Sequence, residues 1–327
     1  MKFLWSNYIF SFWGRENTVN TPRFCVWRNE VIQIMLTIRT DLAAEAHQLW
    51  QESAGKTTRL KGVMARDEEL CGFPVTRVEI LDEEGEKALG KPKGVYLTLN
   101  VAALWEREEG AFFRAAQALA YMLEPLLPDE GPVLVAGLGN AAMTPDALGP
   151  LALNHVLVTR HLLDTLPVLR NVSALGAGVL GSTGIEAAEW VMGAAGYVKP
   201  AAVVLIDALA ARSLDRLCST IQVSDTGLIP GSGVGNHRQA LNQETLGVPV
   251  VSIGVPTVVS IETAAKDLLA QAGGEEEKIG RLEGRGLFVT PDSIDFKVKE
   301  LARVVGYGLD LMLQPTLEPD DLEALLA

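Results

Sequence analysis

Two aspartates in this sequence each follow a short apolar run that is typical of a buried strand. Residues 132–137 lead through a short segment to Asp146, and residues 201–206 end directly in Asp207. In an open α/β sheet, ligands bind in the crevice beyond the carboxyl ends of the strands. Two carboxyl groups brought there by different strands are the arrangement that general acid–base hydrolysis requires. Asp146 and Asp207 are therefore the first candidates for a functional site.

Each aspartate also has a structural interpretation. The segment 144–146 (Thr-Pro-Asp) is a typical helix start, with a hydroxyl cap, a proline and an acid at the positive end of the helix dipole. It predicts a helix from Pro145 to Leu163. Asp207 is harder to explain in this way, because a carboxylate after an apolar strand is costly to bury unless it is hydrogen-bonded or functional. Capping of the next segment, or pairing with Arg212, stays open for Asp207.

Neither glycine-rich segment indicates a cofactor. Residues 137–142 match the G-x-G-x-x-A pattern of dinucleotide sites, but the predicted helix begins too late and the next strand does not end in an acid. Residues 231–236 lack the Lys-Ser/Thr ending of a phosphate-binding loop. His155 and His161 are six residues apart, which does not place them on one helix face as a metal pair. We therefore expect no cofactor and no metal site.

The composition limits the class of protein. A chain of 327 residues is long enough for one large core, and its net charge of −13 argues against a nucleic-acid binder, which would need a basic face. The three cysteines are far apart and odd in number, which favours a reducing cytoplasm over a disulfide framework. No stretch approaches the roughly 20 apolar residues that a membrane-spanning helix needs. We expect a cytoplasmic protein without membrane or direct nucleic-acid binding.

The order of predicted elements indicates an α/β fold. From Val133 onward, strands alternate with helices, which predicts a three-layer α/β/α arrangement with a mostly parallel sheet. Before that point, the alternating stretch from Lys61 to Leu81 and a run at 95–99 predict additional N-terminal strands. A helix is predicted from Asp41 to Gln51. The strands of the repeating units are predicted at 133–137, 172–175, 202–206, 219–223 and 248–253.

Four long segments carry a resemblance to a known family. They are GLGNAAMTPDALGPLALNHVLVTRHL (137–162), VSALGAGVLGSTGIEAAEW (172–190), residues 203–247 and VPVVSIGVPTVV (248–259). Together they resemble the germination proteases of spore-forming bacteria. The resemblance implies a fold similar to that of the hydrogenase-maturation proteases. It also implies an endopeptidase that degrades the small acid-soluble proteins of the spore during germination, in the spore core.

The same resemblance implies roles for particular residues. The catalytic acids of the family fall on Asp146 and Asp207. The segment RTDLAAEA (39–46) is similar to the family's processing region, which implies a zymogen that cleaves itself between Asp41 and Leu42. The sequence around that bond is also similar to the sites cut in the spore proteins. Members of the family are homo-oligomers, often tetramers, so the resemblance implies a homo-oligomer here.

The first 34 residues fit neither a signal peptide nor a regular element. They contain many aromatic side chains but no periodicity, no clean apolar core and no small-residue cleavage site. They are either a poorly ordered extension or the product of too early a start codon, and the pattern favours the second, with Met35 as the initiator. With the implied cleavage point, the chain divides into an N-terminal extension or propeptide over 1–41 and a single α/β peptidase domain over 42–327.

Two alternative functions stay open at this point. In the first, Asp146 and Asp207 are metal ligands of a metal-assisted peptidase of the hydrogenase-maturation type, whose activity would depend on a divalent ion. In the second, the chain is a non-catalytic binding module, in which the acids cap helices and the glycine-rich loops hold a peptide or nucleotide. Chelation distinguishes the first alternative from an aspartate pair, and binding without cleavage would identify the second.

Overall fold

The computed structural model describes residues 40–54, 60–106, 108–231, 239–273, 286–317 and 321. The predicted extension up to residue 39, with the alternative start at Met35, lies outside the described residues, as does most of the glycine-rich segment 231–236. The strands are β1 (Val63–Leu70), β2 (Phe73–Ile80), β3 (Gly94–Asn100), β4 (Val133–Leu138), β5 (Val172–Gly178), β6 (Ala202–Ala211), β7 (Thr220–Ser224), β8 (Val250–Ser260) and β9 (Phe288–Val289).

The described strands form one mixed sheet in the order β1-β2-β3-β7-β8-β6-β4-β5, and β9 pairs with β8. Strands β8, β6, β4 and β5 are parallel to one another. On the other side of β8, each of the strands β7, β3, β2 and β1 is antiparallel to the strand before it in the sheet. The predicted α/β fold with added N-terminal strands is confirmed. Strand β7 follows β6 after a connection that is too short for the crossover of a dozen or more residues that a parallel strand needs, and β7 therefore runs antiparallel to β6 and to its own neighbour β8.

Helices cover both faces of this sheet. Alternate residues of a strand point to opposite faces, and in β4 Val133 and Val135 contact one core whereas Leu134 and Ala136 contact another. The helices are α1 (Ala43–Ala54), α2 (Glu83–Leu89), α3 (Ala111–Leu123), α4 (Leu148–Leu153), α5 (Leu180–Thr183), α6 (Ala187–Val198), α7 (Gln243–Leu246), α8 (Ile261–Gln271) and α9 (Ile294–Leu313). Helices α3, α4 and α9 pack on the first face, and α1 and α6 on the second. Among these helices, none combines the length and the apolar composition needed to cross a bilayer.

The helix predicted from Pro145 to Leu163 is wrong. The chain instead makes a 3₁₀ turn at Thr144–Asp146, the short helix α4 and a further 3₁₀ turn at Arg160–Leu162, with non-helical backbone between the last two. The reason lies in tertiary hydrogen bonds that take the backbone donors a longer helix would use. The Leu157 N–H donates to the carboxylate of Asp310 on α9, and the Thr159 N–H donates to the carbonyl of Val172 on β5.

Candidate active site

Asp207 lies inside β6 rather than after it. The strand pairs with β8 as far as Ala211 and Val259, whereas its pairing with β4 ends at Ile206. The prediction that the strand ends at Ile206 is therefore wrong, because β8 continues alongside after β4 has stopped. Asp207 is nevertheless the first residue of β6 after its pairing with β4 ends, level with Leu138 at the carboxyl end of β4, where ligands bind in open α/β sheets.

Asp146 is positioned by the loop that follows β4. The Asn140 N–H donates to Oδ2 of Asp146 at 2.9 Å and to its main-chain oxygen at 3.0 Å. The turn that carries Asp146 is fixed from the other side by Thr257 of β8, whose hydroxyl donates to the Pro145 carbonyl at 2.6 Å. The turn that carries Asp146 is therefore held between the loop after β4 and Thr257 of β8. It is not, as predicted, at the start of a long helix.

The structure brings the two aspartates to the same pocket. This aspartate pocket has a volume of about 270 Å³ and includes Asp146, Asp207, Met143, Thr257 and Phe288 among its lining residues. Asp207 is only 6% exposed. Two acids that are far apart in the sequence thus border one small cavity that is large enough for part of a peptide chain.

The surroundings of Asp207 favour its protonated form. Burial raises the pKa of Asp207 to about 8, and the nearby carboxylate of Asp146 acts in the same direction. Backbone hydrogen bonds from Ala208 and Gly231 favour the charged form and so oppose the rise, and the carboxylate of Asp41 adds to it. A buried acid next to another acid is the situation in which two carboxyl groups share one proton.

The predicted cleavage segment lies beside these residues. Asp41 pairs with Ala210 of β6, since the Asp41 N–H donates to the Ala210 carbonyl at 2.9 Å and the Ala210 N–H donates to Oδ2 of Asp41 at 2.8 Å. Leu42 is completely buried. A second pocket of about 260 Å³, here called the Gln222 pocket, includes Asp41, Asp207 and Gln222 in its lining. Asp207 therefore borders both pockets.

Three polar residues around the site were not predicted from the sequence. Gln222 and Lys91 contact the main chain of the cleavage segment, and Thr257 holds the turn that carries Asp146. A signal for Gln222 was present, because Thr220, Gln222 and Ser224 alternate with apolar residues along β7. That pattern is usually typical of a solvent-facing surface, but all three side chains are buried here.

The described ranges contain no group of three or more His, Cys, Asp or Glu side chains close enough to hold a metal ion. The two aspartates thus lack the further protein ligand that is usual in catalytic zinc sites, which have three. The donor set within the described part of the chain does not fit a resident metal of that kind.

Comparison with known proteins gives one consistent family. The family profile described as germination protease matches residues 43–272. The germination protease of Caldanaerobacter subterraneus is 44% identical, over 90% of this chain and 99% of its own. The germination protease of Bacillus cytotoxicus is 38% identical, over 88% of this chain and 96% of its own. That of Clostridium perfringens is 37% identical, over 89% of this chain and 100% of its own.

Among solved structures, the chain is similar to a NiFe hydrogenase maturation protease, HycI, from Thermococcus kodakarensis. That match has 20% identity and a TM-score of 0.34, and it covers 58% of this chain and 99% of the other. The family assignment comes from the sequence relatives, which span almost their whole length. The chain belongs to the germination protease family of peptidases.

Proposed function

We propose that this protein is the endopeptidase that begins the degradation of small acid-soluble spore proteins at germination, with Asp146 and Asp207 as its catalytic pair. One observation supports the assignment of the pair: both residues line the aspartate pocket, where the charge of Asp146 helps to raise the pKa of Asp207. Family membership supports the peptidase activity. The substrate class and the location in the spore core follow the family resemblance.

The environment of each acid assigns its role in the proposed mechanism. Asp207 keeps its proton at neutral pH because its pKa is raised to about 8, so it is the general acid. Asp146 is then the ionised partner and the general base, since two neighbouring carboxyl groups cannot both carry a charge. This division is the one expected when two acids have environments that separate their pKa values.

The reaction is a hydrolysis in two stages. Asp146 takes a proton from water as the water oxygen bonds to the scissile carbonyl carbon, and Asp207 donates its proton to the carbonyl oxygen. The tetrahedral intermediate then collapses: the C–N bond breaks, Asp146 gives its proton to the leaving nitrogen, and Asp207 recovers its proton from the hydroxyl. The products are a carboxylic acid and an amine, and both aspartates return to their initial state.

We further propose that the protein is made as a zymogen. Residues 1–41 would be removed by cleavage between Asp41 and Leu42, leaving a single peptidase domain over 42–327. The position of Asp41 supports this, because its backbone is paired with β6 three residues from Asp207 and it lines a pocket with Asp207. A homo-oligomer, a tetramer by resemblance to the family, completes the proposal.

The activity is tested with the purified chain and a synthetic peptide of residues 38–46, which contains Thr-Asp-Leu-Ala. We expect cleavage after the aspartate, detected by mass spectrometry, at a rate that exhaustive chelation does not change. Loss of cleavage on chelation, restored by one divalent ion, would instead support the metal-assisted peptidase. Binding of the peptide without any cleavage, by a folded protein, would support the binding module.

A further inference from the structure

Gln222 contacts the predicted scissile segment on both sides of the bond to be cleaved. Its side-chain Nε2 donates to the main-chain carbonyl of Asp41 at 3.1 Å. Its Oε1 accepts from the Ala43 N–H at 2.8 Å. The peptide bond between Asp41 and Leu42 lies between these two contacts. One buried carboxamide thus holds the main chain before and after that bond.

Other contacts hold the same segment at neighbouring positions. Lys91 donates from Nζ to the Thr40 carbonyl at 2.9 Å, and Asp41 is paired with Ala210. The Leu42 side chain is completely buried in a small apolar cluster with Ala211, Leu217, Val259 and Ala264. The segment is therefore fixed along its length, and Gln222 provides the contacts that flank the bond itself.

The sheet register relates Gln222 to Asp207. Both residues are paired with Gly254 of β8, Asp207 on one side and Gln222 on the other. Residues in one register row have their side chains on the same face, and adjacent strands are about 4.8 Å apart, so the two α-carbons are roughly 10 Å apart. Both side chains line the Gln222 pocket. Gln222 and Asp207 therefore line one cavity, and Gly254 of β8 lies between them in the sheet.

We propose that Gln222 is the positioning residue for self-cleavage at Asp41–Leu42. It fixes the scissile bond and donates a hydrogen bond to the carbonyl oxygen on which negative charge develops when water adds. A glutamine side chain is one of the donors that serve in oxyanion sites. The inference rests on the proposed function, since it takes Asp146 and Asp207 as the groups that activate water.

A purely structural role is the competing interpretation, because the bond from Ala43 also fixes the start of α1. Two changes separate the roles in the full-length chain. Gln222→Met keeps the length of the side chain and removes both hydrogen bonds. L-lactic acid incorporated at position 43 replaces one amide by an ester, which removes the N–H that Gln222 accepts and weakens the Leu42 carbonyl as acceptor of the Ala46 N–H. Because the ester keeps every side chain, it tests the contact even if Gln222→Met fails to fold.

The measurement is the first-order rate at which the new N-terminus at Leu42 appears, followed by mass spectrometry well below the thermal midpoint of each variant. We expect Gln222→Met to slow self-cleavage about 100-fold, as loss of an oxyanion donor does. We expect the ester to slow it roughly fivefold to tenfold, as loss of one hydrogen bond does. In the Gln222→Met background, the ester should slow the reaction less than it does in the unaltered chain, because only the weaker bond from Ala46 to the Leu42 carbonyl is left to change.

Thr98→Val is the matched control. Thr98 lies in the same register row, is equally buried, and its hydroxyl has no hydrogen-bond partner among the described residues. It should leave the rate unchanged. The inference would be overturned if the ester slowed self-cleavage equally in the unaltered chain and in Gln222→Met. It would also be overturned if folded Gln222→Met cleaved itself at the unaltered rate. An unaltered chain that never forms the Leu42 terminus would overturn it as well. In that case, cleavage of the separate peptide would still support the proposed peptidase.

Discussion

Gly139 and Asp146 are in such close contact that only a residue without a side chain fits at position 139. A Cβ atom there would lie 2.1 Å from the main-chain oxygen of Asp146 and 3.0 Å from its Oδ1. Gly139 also has a φ of +106°, which residues with a side chain rarely adopt. The loop after β4 can therefore hold Asp146 against the sheet only because residue 139 is a glycine.

Gly139→Ala should therefore displace Asp146 and lower activity. We expect kcat/KM for peptide cleavage to fall at least tenfold, because a shift of about 1 Å in a catalytic group is enough for such a loss. The free energy of unfolding should fall by about 2 kcal/mol from backbone strain and overlap. Urea unfolding and steady-state kinetics measure the two effects.

Gly247→Ala is the control for backbone strain alone. Gly247 has a φ of +74°, but no atom lies within 4 Å of the place where its Cβ would be. It should lose about 1 kcal/mol of stability and keep its activity. If Gly139→Ala and Gly247→Ala had the same kcat/KM, the conclusion that Gly139 positions Asp146 would be contradicted.

The pH dependence of cleavage should have an alkaline limit set by Asp207. Its pKa is raised to about 8, and a general acid works only while protonated. We therefore expect kcat/KM to fall as the pH rises through about 8, and to fall about tenfold for each further pH unit. Initial rates between pH 5 and 10 provide the profile. A rate that keeps rising from pH 8 to 10 would be inconsistent with Asp207 as the acid.

Asp310 should make the fold less stable at alkaline pH. Burial raises the pKa of Asp310 to about 8, although the Leu157 N–H favours its charged form. The folded protein therefore holds this proton more tightly than the unfolded chain does. The resulting stability is complete below the unfolded pKa of 3.8 and is lost as the pH rises towards 8.

Asp310→Asn should remove this pH dependence, because asparagine has no proton to lose and still accepts from Leu157. Between pH 5 and 7, the free energy of unfolding of Asp310→Asn should decline less steeply with pH than that of the unaltered protein. The two slopes should differ by up to about 1.4 kcal/mol per pH unit. Urea unfolding at several pH values measures the difference. Identical slopes for the two proteins would show that Asp310 is not protonated in the fold.

The central strands were predictable from the sequence, for a physical reason. Strands β4, β6 and β8 are covered on both faces, so they form continuous apolar runs that are easy to recognise. Strands β1 and β2 lie within the alternating stretch from Lys61 to Leu81, where additional strands were correctly predicted. These patterns, with the carboxyl ends of the strands, were enough to predict that Asp146 and Asp207 lie close together.

Tertiary contacts determined what the sequence could not reveal. The helix predicted after Pro145 was wrong because distant partners, Asp310 and Val172, take the backbone donors. The continuation of β6 past Asp207 depends on β8 alongside, since aspartate is itself unfavourable in strands. Gln222 resembled a solvent-facing residue because the segment that covers it lies about 180 positions earlier in the chain.

The most direct test of the aspartate pair is peptide cleavage by Asp146→Asn and Asp207→Asn, each shown to be folded. Asp310→Asn is the control, because it removes a buried acid of similarly raised pKa that does not line the aspartate pocket. We predict that each active-site variant loses at least about 100-fold in kcat and that the control keeps its rate. Cleavage at the unaltered rate by either folded active-site variant would contradict catalysis by this pair.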